Sequence, residues 1–227
     1  MIHAIILARG GSKGLKNKNL KKIAGKPMLF WSISACLKSK KIFKTWVSSD
    51  STKILKFSKK VGASIISRPK KYATDTSTSE SAWKHGVENI EKKFKIDTIV
   101  GIQPTSPIKT SNDLDNAIKT FLKKKFDSLF SSTEVKDYHV WQKDKKLKPL
   151  YNYLKRKRRQ DYATKYLENG SFYIFNKNKF IKKNNRLFGK VGTYAQNKTK
   201  SFQVDDMEDI FIVNRLLSSK KINNFNK

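Results

Sequence analysis

Short apolar runs alternate with amphipathic segments along most of the chain, and this alternation restricts the possible folds more than any other feature. Residues 2–8 form a nearly continuous apolar run, which is typical of a strand buried on both faces of a parallel sheet. The same pattern predicts strands at Thr45–Ser49, Ala63–Ser67, Thr98–Ile102, Ser128–Ser132, Gly170–Phe175 and Phe202–Asp205, and helices after Pro27, after Ser51, over Thr76–Glu91, from Thr110 to about Lys124 and over about Met207–Leu217. Strands that alternate with helices imply βαβ units, so we predict an α/β fold with a mostly parallel sheet flanked by helices.

The alternation fails from about Lys136 to Asp161. This stretch is charged and rich in Tyr, and it contains Lys-Arg-Lys-Arg-Arg at 155–159. A basic insert, a nucleic-acid patch and an excursion that meets another subunit all fit this composition. We therefore predict one domain over residues 1–227 with a protruding segment inserted at about 136–165.

The formal net charge is +32, but its distribution argues against a dedicated nucleic-acid binder. Only seven of the 50 basic residues are Arg, and the lysines are spread along the whole chain. A nucleic-acid binder concentrates basic residues on one face and uses Arg for bidentate contacts. We expect no specific nucleic acid as a partner, although such a charge attracts polyanions at low salt. A run of about 18 apolar residues is absent, so no membrane span is expected. Cys36 is the single cysteine, which fits a cytoplasmic protein.

The segment after the first predicted strand, Arg9–Asn19, is rich in Gly, Lys and Asn. Glycines allow backbone N–H groups to approach phosphates, and Arg and Lys supply positive charge for a triphosphate. The spacing matches neither the Walker A motif nor the dinucleotide fingerprint. Because ligands of open α/β sheets bind at the carboxyl ends of strands, we interpret this loop as a phosphate site rather than as a flexible surface turn.

Taken whole, this loop resembles the nucleotide-binding signature of the acylneuraminate cytidylyltransferases, the CMP-sialic acid synthetases. The resemblance continues, in the order of that family, through Gly25-Lys26-Pro27-Met28, Val47-Ser48-Ser49-Asp50, Gly62-Ala63, Arg68-Pro69, Gln103-Pro104-Thr105-Ser106-Pro107 and Glu168-Asn169-Gly170-Ser171-Phe172-Tyr173. It implies a Rossmann-like fold, a homodimer, and transfer of CMP from CTP to a nonulosonic acid, with N-acetylneuraminate as the first candidate. Legionaminate, pseudaminate and 3-deoxy-manno-octulosonate (Kdo) are alternatives, and by this resemblance Gly14-Leu15-Lys16 favours N-acetylneuraminate or legionaminate over pseudaminate.

The resemblance also implies roles for individual residues. Those expected to bind the nucleotide are Arg9, Gly10, Gly11, Ser12, Lys13, Lys18, Asn19 and Gln103. Arg9, Lys13 and Asp205 are the predicted catalytic residues, and those expected to bind the sugar are Gln103, Arg159, Gln160 and Asn169. Arg159 is expected to meet the sugar carboxylate, since a guanidinium binds a carboxylate bidentately.

A dense acidic cluster lies near the end of this basic chain, at Asp205, Asp206, Glu208 and Asp209. Transfer from a nucleoside triphosphate calls for Mg²⁺ or Mn²⁺, and these four side chains are the candidate ligands. The resemblance implies Asp205 and Asp209 as the ligands, because the family has a pattern close to I-D-x-x-x-D at this place. Acidic residues also favour helix N-termini, so Asp206 is expected to cap the last helix. Gln203 departs from the family, in which many members have a further Asp there, and this leaves open a degenerate homologue that only binds.

A second function class, nucleic-acid binding, is motivated by the charge and by Lys155–Arg159. It does not explain Gln103–Pro107. It also fails to explain the acidic cluster, because carboxylates without a metal repel phosphates.

Overall fold

The computed structural model describes residues 1–11, 14–135 and 139–219, and these form a seven-stranded sheet with helices on both faces. The strands are β1 (Ile2–Leu7), β2 (Lys22–Ile23), β3 (Lys26–Pro27), β4 (Lys44–Ser49), β5 (Ser64–Ser67), β6 (Thr98–Ile102), β7 (Ser128–Val135), β8 (Trp141–Lys143), β9 (Leu147–Pro149), β10 (Lys165–Asn176) and β11 (Val191–Gln196). The helices are α1 (Met28–Leu37), α2 (Thr52–Val61), α3 (Ser79–Glu91), α4 (Ser111–Lys123), α5 (Lys177–Lys183) and α6 (Met207–Ser218).

The main sheet has the strand order β11-β7-β10-β6-β1-β4-β5. The pairs β5–β4, β4–β1, β1–β6 and β7–β11 are parallel, and β10 runs antiparallel between β6 and β7. The predicted α/β class with a mostly parallel, Rossmann-like sheet is therefore confirmed.

Two apolar clusters cover the two faces of the sheet, because successive side chains of a strand point to opposite sides. Ala4 and Ile6 of β1 belong to the cluster under α1, α2 and α4. Ile5, between them in the sequence, belongs to the other cluster with Trp83 of α3 and Phe180 of α5. All five residues are fully buried, which explains why residues 2–8 read as a continuous apolar run.

Local signals in the sequence set the ends of several helices. Gly62 ends α2 with φ of 104°, a left-handed conformation that favours glycine. Thr110 caps α4 and forms a capping box with Asp113. Asp206 caps α6 in the same way, as expected from the sequence, with Asp209 as its reciprocal partner.

The predicted strand at Phe202–Asp205 is wrong. The segment has no strand assignment, and it is joined to the Gln103–Pro107 turn by a hydrogen bond from the Val204 N–H to the Thr105 carbonyl oxygen (2.8 Å). The edge strand next to β7 is β11. The sequence pattern predicted neither β11 nor α5. In β11 the sequence Val-Gly-Thr-Tyr-Ala-Gln has little apolar alternation, so its pairing with β7 establishes the strand.

Residues 139–164 connect β7 to β10 in the chain and contain the β8–β9 hairpin, a separate two-stranded sheet that is largely exposed. Residues 136–138 of the predicted protruding segment fall outside the described residues. The division into one domain with an insert at about 136–165 remains a prediction. Among the described residues, none of the helices combines the length and the apolar character that crossing a membrane requires.

Candidate functional site

A cleft of about 430 Å³ lies at the carboxyl edge of the sheet, where β1, β5 and β6 end. It is lined by Arg9 and Asn19 after β1, by Arg68 after β5 and by Gln103 after β6, and Lys18 reaches it as well. The carboxyl ends of parallel strands meet at one edge, and ligands of open α/β sheets bind there. The structure thus brings four of the predicted nucleotide-binding residues into one cavity.

The glycine-rich loop after β1 is fixed at both ends. The Gly10 N–H donates to Asp50 Oδ1 (2.8 Å), and Asn19 Nδ2 donates to the Arg9 carbonyl oxygen (2.9 Å). A β-carbon at Gly14 would lie 2.9 Å from the backbone oxygen of Asp205, so glycine is required for the loop to approach the acidic segment this closely.

Three more of the predicted nucleotide-binding residues, Gly11, Ser12 and Lys13, follow Gly10 in the sequence of this loop. Gly11 is exposed and has open space around it. Ser12 and Lys13 lie outside the described residues, so their phosphate contacts stay predictions.

Arg9 reaches across the cleft to the segment before α3. One terminal nitrogen donates to the Thr74 carbonyl oxygen (3.0 Å) and to Asp75 Oδ1 (2.8 Å). Both side chains of this ion pair are partly exposed, so its own contribution to stability is small. Arg9 is therefore held at the mouth of the cleft with part of its guanidinium still facing solvent.

Gln103 is presented by a tight turn. Its N–H donates to the Ser171 carbonyl oxygen (3.3 Å), which ties the turn to β10. The Gln103 side-chain oxygen lies 2.9 Å from the position of a β-carbon at Gly170, and Gly170 has φ of +61°. The register of β10 against β7 shifts between Glu168 and Tyr173, and such irregularities re-aim side chains beside functional sites.

Asp205 and Lys18 form an ion pair at the edge of the cleft. Lys18 Nζ donates to Asp205 Oδ1 (2.9 Å) and to the Val204 carbonyl oxygen (3.0 Å). The Lys18 side chain is 14% exposed, whereas that of Asp205 is 73% exposed, so the carboxylate remains open to a ligand. Asp209 is more occupied, because its Oδ2 accepts from the N–H groups of Asp205 (2.7 Å) and Asp206 (3.1 Å) in the helix cap.

This donor set allows a test of whether a divalent ion fits. Among the described residues, no group of three His, Cys, Asp or Glu side chains could hold a metal ion. Mg²⁺ does not need such a cage, since it is commonly bound through one or two carboxylates and the phosphates of its substrate. The exposed Asp205 carboxylate fits that mode. The second predicted ligand, Asp209, would have to bind the ion while its Oδ2 accepts hydrogen bonds in the N-terminal cap of α6.

The predicted sugar-binding residues are dispersed. Asn169 is 2% exposed, and its side-chain amide bonds with Ser131, Thr133, Ser171 and Gln196 inside the protein. Gln160 is exposed on a short 3-10 helix, and the side chain of Arg159 lies outside the described part of the structure. Gln103 lines the cleft. The sugar contacts of all four remain predictions.

A second cavity, of about 510 Å³, adjoins Asp205 on the side of β7 and β10. Its lining includes Lys198, Phe202 and Gln203, and Gln203 Nε2 donates to the Asn169 carbonyl oxygen (3.0 Å). Sequence reasoning did not assign this cavity, because its walls come from segments that are distant in the chain.

Arg68 is a residue of the cleft that was not assigned a role from the sequence. It is 6% exposed, and its buried Nε has no hydrogen-bond partner among the described residues. Desolvation by burial lowers the pKa of its guanidinium, the charge of Asp50 opposes this shift and that of Arg9 adds to it. The signal that could have identified it is its position directly after a strand, at the edge where ligands bind.

Known proteins resemble this chain in sequence and in fold. Residues 3–222 match the family model described as Cytidylyltransferase. The chain is 38% identical over 181 residues to an N-acylneuraminate cytidylyltransferase of Oncorhynchus mykiss, covering 77% of this chain. It is 30% identical over 234 residues to the post-translational flagellin modification protein B of Campylobacter coli, covering 96% of this chain and 95% of that protein. A solved CMP:2-keto-3-deoxy-manno-octonic acid synthetase complexed with CTP has the same fold, with a TM-score of 0.71 at 17% identity over 96% of this chain and 98% of that one.

The lengths of these relatives differ. The chain spans 41% of the Oncorhynchus mykiss protein and 48% of N-acylneuraminate cytidylyltransferase A of Danio rerio, which is 34% identical over 90% of this chain. The chain thus spans about half the length of these two curated relatives and nearly all of the Campylobacter coli protein.

Proposed function

Because the chain belongs to the cytidylyltransferase family, we propose that it transfers CMP from CTP to the anomeric hydroxyl of a nine-carbon 2-keto-3-deoxy sugar acid. The observation that carries this proposal is the convergence of Arg9, Lys18, Asn19 and Gln103 on one cleft, with Asp205 at its edge. N-acetylneuraminate is the first candidate acceptor, supported by the N-acylneuraminate cytidylyltransferases among the relatives. Legionaminate, pseudaminate and Kdo are the alternatives.

The triphosphate would lie along the glycine-rich loop. Arg9 and Lys18 present positive charge to the cleft. The Gly10 N–H already donates to Asp50, so the exposed Gly11 is the glycine whose N–H we propose as a donor to a phosphate. Ser12 and Lys13 complete this proposed phosphate site. A triphosphate would also give Arg9 a stronger partner than Asp75, since three phosphates carry more charge than one carboxylate.

The cytosine base would lie at the end of the cleft nearest Arg68. The Nε–H of Arg68 is a buried donor without a partner among the described residues. Leaving a buried donor without an acceptor lowers the stability of a folded protein by about 1–3 kcal/mol. Cytosine offers O2 and N3 as acceptors, so base binding would satisfy a group that the protein itself leaves unsatisfied.

The chemical step would be an in-line displacement. The anomeric oxygen forms a bond to the α-phosphorus while the bond from that phosphorus to the bridging oxygen of pyrophosphate breaks, and the hydroxyl proton is released to water. Arg9 and Lys18 would stabilise the charge on the phosphates, and Gln103 would orient the nucleotide and the acceptor. A Mg²⁺ or Mn²⁺ ion held by Asp205 and the phosphates would neutralise the charge of the leaving pyrophosphate.

The acceptor would occupy the second cavity, because Asp205, which lines this cavity, is ion-paired with Lys18 of the nucleotide cleft. Lys198 supplies a positive charge there for the sugar carboxylate, and Leu167 and Phe202 supply apolar surface. Arg159 and Gln160, on the protruding segment, would contribute from a second copy of the chain.

A homodimer is the assembly we propose. The segment from β8 to β10 exposes several large apolar side chains, and Leu154 is 79% exposed; the others are Trp141, Leu147, Leu150, Tyr153 and Leu167. Apolar surface that is grouped in this way marks a protein–protein contact, and burial between two copies would remove it from water. The proposed use of CTP as substrate supports a cytoplasmic location for the protein.

The test measures pyrophosphate release from CTP and Mg²⁺ with each of the four sugar acids. Asp205→Asn should lose release, whereas Asp206→Asn is a matched control, since Asn is as good a helix cap as Asp. CTP-dependent release with one sugar, lost only in Asp205→Asn, is the expected result. CTP binding without release for any sugar would refute catalysis with these acceptors, and absence of CTP binding would refute the nucleotide site.

A further inference from the structure

We infer that Lys109 is a positioning residue for this reaction, because its amino group holds the turn that carries Gln103 and, through that turn, the segment that carries Asp205. The inference rests on the proposed function for its effect on turnover. Its structural part, the restraint of the turn, can be measured without turnover.

The contacts of Lys109 are directed at the backbone of the turn. Lys109 Nζ donates to the carbonyl oxygens of Gln103 (3.0 Å) and Ser106 (2.5 Å) and to Ser32 Oγ (3.1 Å). Three acceptors match the three N–H groups of a lysine ammonium. Because Ser32 lies on α1 and is fully buried, the amino group joins the turn to the rigid core beneath it.

The same turn supports the acidic segment. The Thr105 carbonyl oxygen accepts from the Val204 N–H (2.8 Å), and Val204 precedes Asp205. A shift of the turn would therefore move both Gln103 and the carboxylate proposed to bind the metal. Displacements of about 1 Å at a reacting centre are sufficient to reduce rates by orders of magnitude.

A role in stability alone is a weaker explanation of this lysine. Lys109 is 4% exposed, and desolvation by burial lowers its pKa to about 7, against weaker opposing effects of Cys36 and Asp113. Asp113 does not neutralise it directly, because both Asp113 oxygens accept from Lys200 at 2.9 Å. Burying an amine in this way is costly, and an apolar side chain of the same size would serve packing as well or better.

The experiment compares wild type, Lys109→Met, Gln103→Ala and the double variant. Steady-state kcat and KM for CTP are measured with the best acceptor, and hydrogen–deuterium exchange is followed at the amides of Gln103 and Val204. Lys177→Met is the matched control, because the Lys177 side chain is also mostly buried and its amino group also has a partner, the exposed Glu91, but it lies at the opposite edge of the sheet.

We expect Lys109→Met to lower kcat/KM about tenfold or more, since unpaired buried carbonyls would rearrange the turn. The double variant should be no worse than Gln103→Ala by more than about twofold, because contacting residues are not additive. Exchange at Gln103 and Val204 should accelerate, and Lys177→Met should change neither quantity. The inference would be overturned if the loss of kcat/KM in the double variant equalled the product of the losses in the two single variants. It would also be overturned if Lys109→Met kept the wild-type kcat/KM.

Two further arms keep the outcomes separate. If the wild type turns over none of the sugars, the proposed function fails, and unchanged exchange in Lys109→Met would then also refute the restraint of the turn. If Lys109→Met does not fold, Ser32→Ala removes one acceptor with little change in volume. Faster exchange at Gln103 in Ser32→Ala supports the inference, and unaltered exchange contradicts it.

Discussion

Gly170→Ala should impair both the stability and the activity of the protein, for two separable reasons. Gly170 has φ of +61°, and an L-residue in the left-handed region costs about 1–2 kcal/mol. For a domain of this size that lowers Tm by about 2–8 °C. The new β-carbon would also lie 2.9 Å from Gln103 Oε1 and 3.1 Å from Gln203 Nε2, so these side-chain ends must move.

The loss of activity follows from the displaced glutamine. One hydrogen bond to the substrate is worth about 0.5–1.5 kcal/mol, so kcat/KM should fall about 2- to 10-fold. Thermal unfolding and pyrophosphate release measure the two effects independently. Gly25→Ala is the matched control: Gly25 has φ of +77° with open space around the position, so the strain is similar but the cleft is untouched. Equal losses of kcat/KM in the two variants would refute the steric argument.

Three further outcomes are expected. Arg68→Lys should raise the Kd for CTP about tenfold in calorimetry, because an ammonium lacks the planar donors of a guanidinium; unchanged affinity would remove Arg68 from the site. Arg186→Met should lower the free energy of unfolding in urea by about 2–4 kcal/mol, since it leaves Glu80 without its two hydrogen bonds of 2.6 and 3.0 Å; a loss below about 0.5 kcal/mol would contradict this. Finally, with a pKa of about 7 in the folded protein and 10.5 as its ordinary value, Lys109 releases its proton earlier in the folded state. The unfolded chain then binds more protons between these values, so wild type should gain stability relative to Lys109→Met as the pH rises from about 7 to 10; a constant difference would argue against the lowered pKa.

Much of the fold could be predicted because local and global signals agree in the first half of the chain. The apolar run of β1 and the end of α2 at Gly62 need no knowledge of the partners they pack against. The convergence of Arg9 and Gln103 was also predictable, since strand ends of a parallel sheet share one edge.

The remainder depends on contacts between distant segments. Val191–Gln196 becomes a strand because its backbone pairs with β7, whereas Phe202–Asp205 lies near β7 and β10 but pairs with no strand of the sheet. The burial of Asn169 beside Ser131 and the bond of Lys109 to Ser32 join segments that are distant in the chain, and spacing along the chain does not reveal them. Pairing of Lys18 with Asp205 joins residues 187 positions apart.

The antiparallel strand β10 has a consequence for synthesis of the protein on the ribosome. In the sheet, β7 contacts only β10 and β11, and both follow it in the chain. The parallel half, β5-β4-β1-β6, is complete by Ile102, but its β6 edge remains open until residues 165–176 have emerged. An open edge on a nascent chain is a template for aggregation. Pausing or truncation between β7 and β10 is therefore the step at which this protein is most exposed to misassembly.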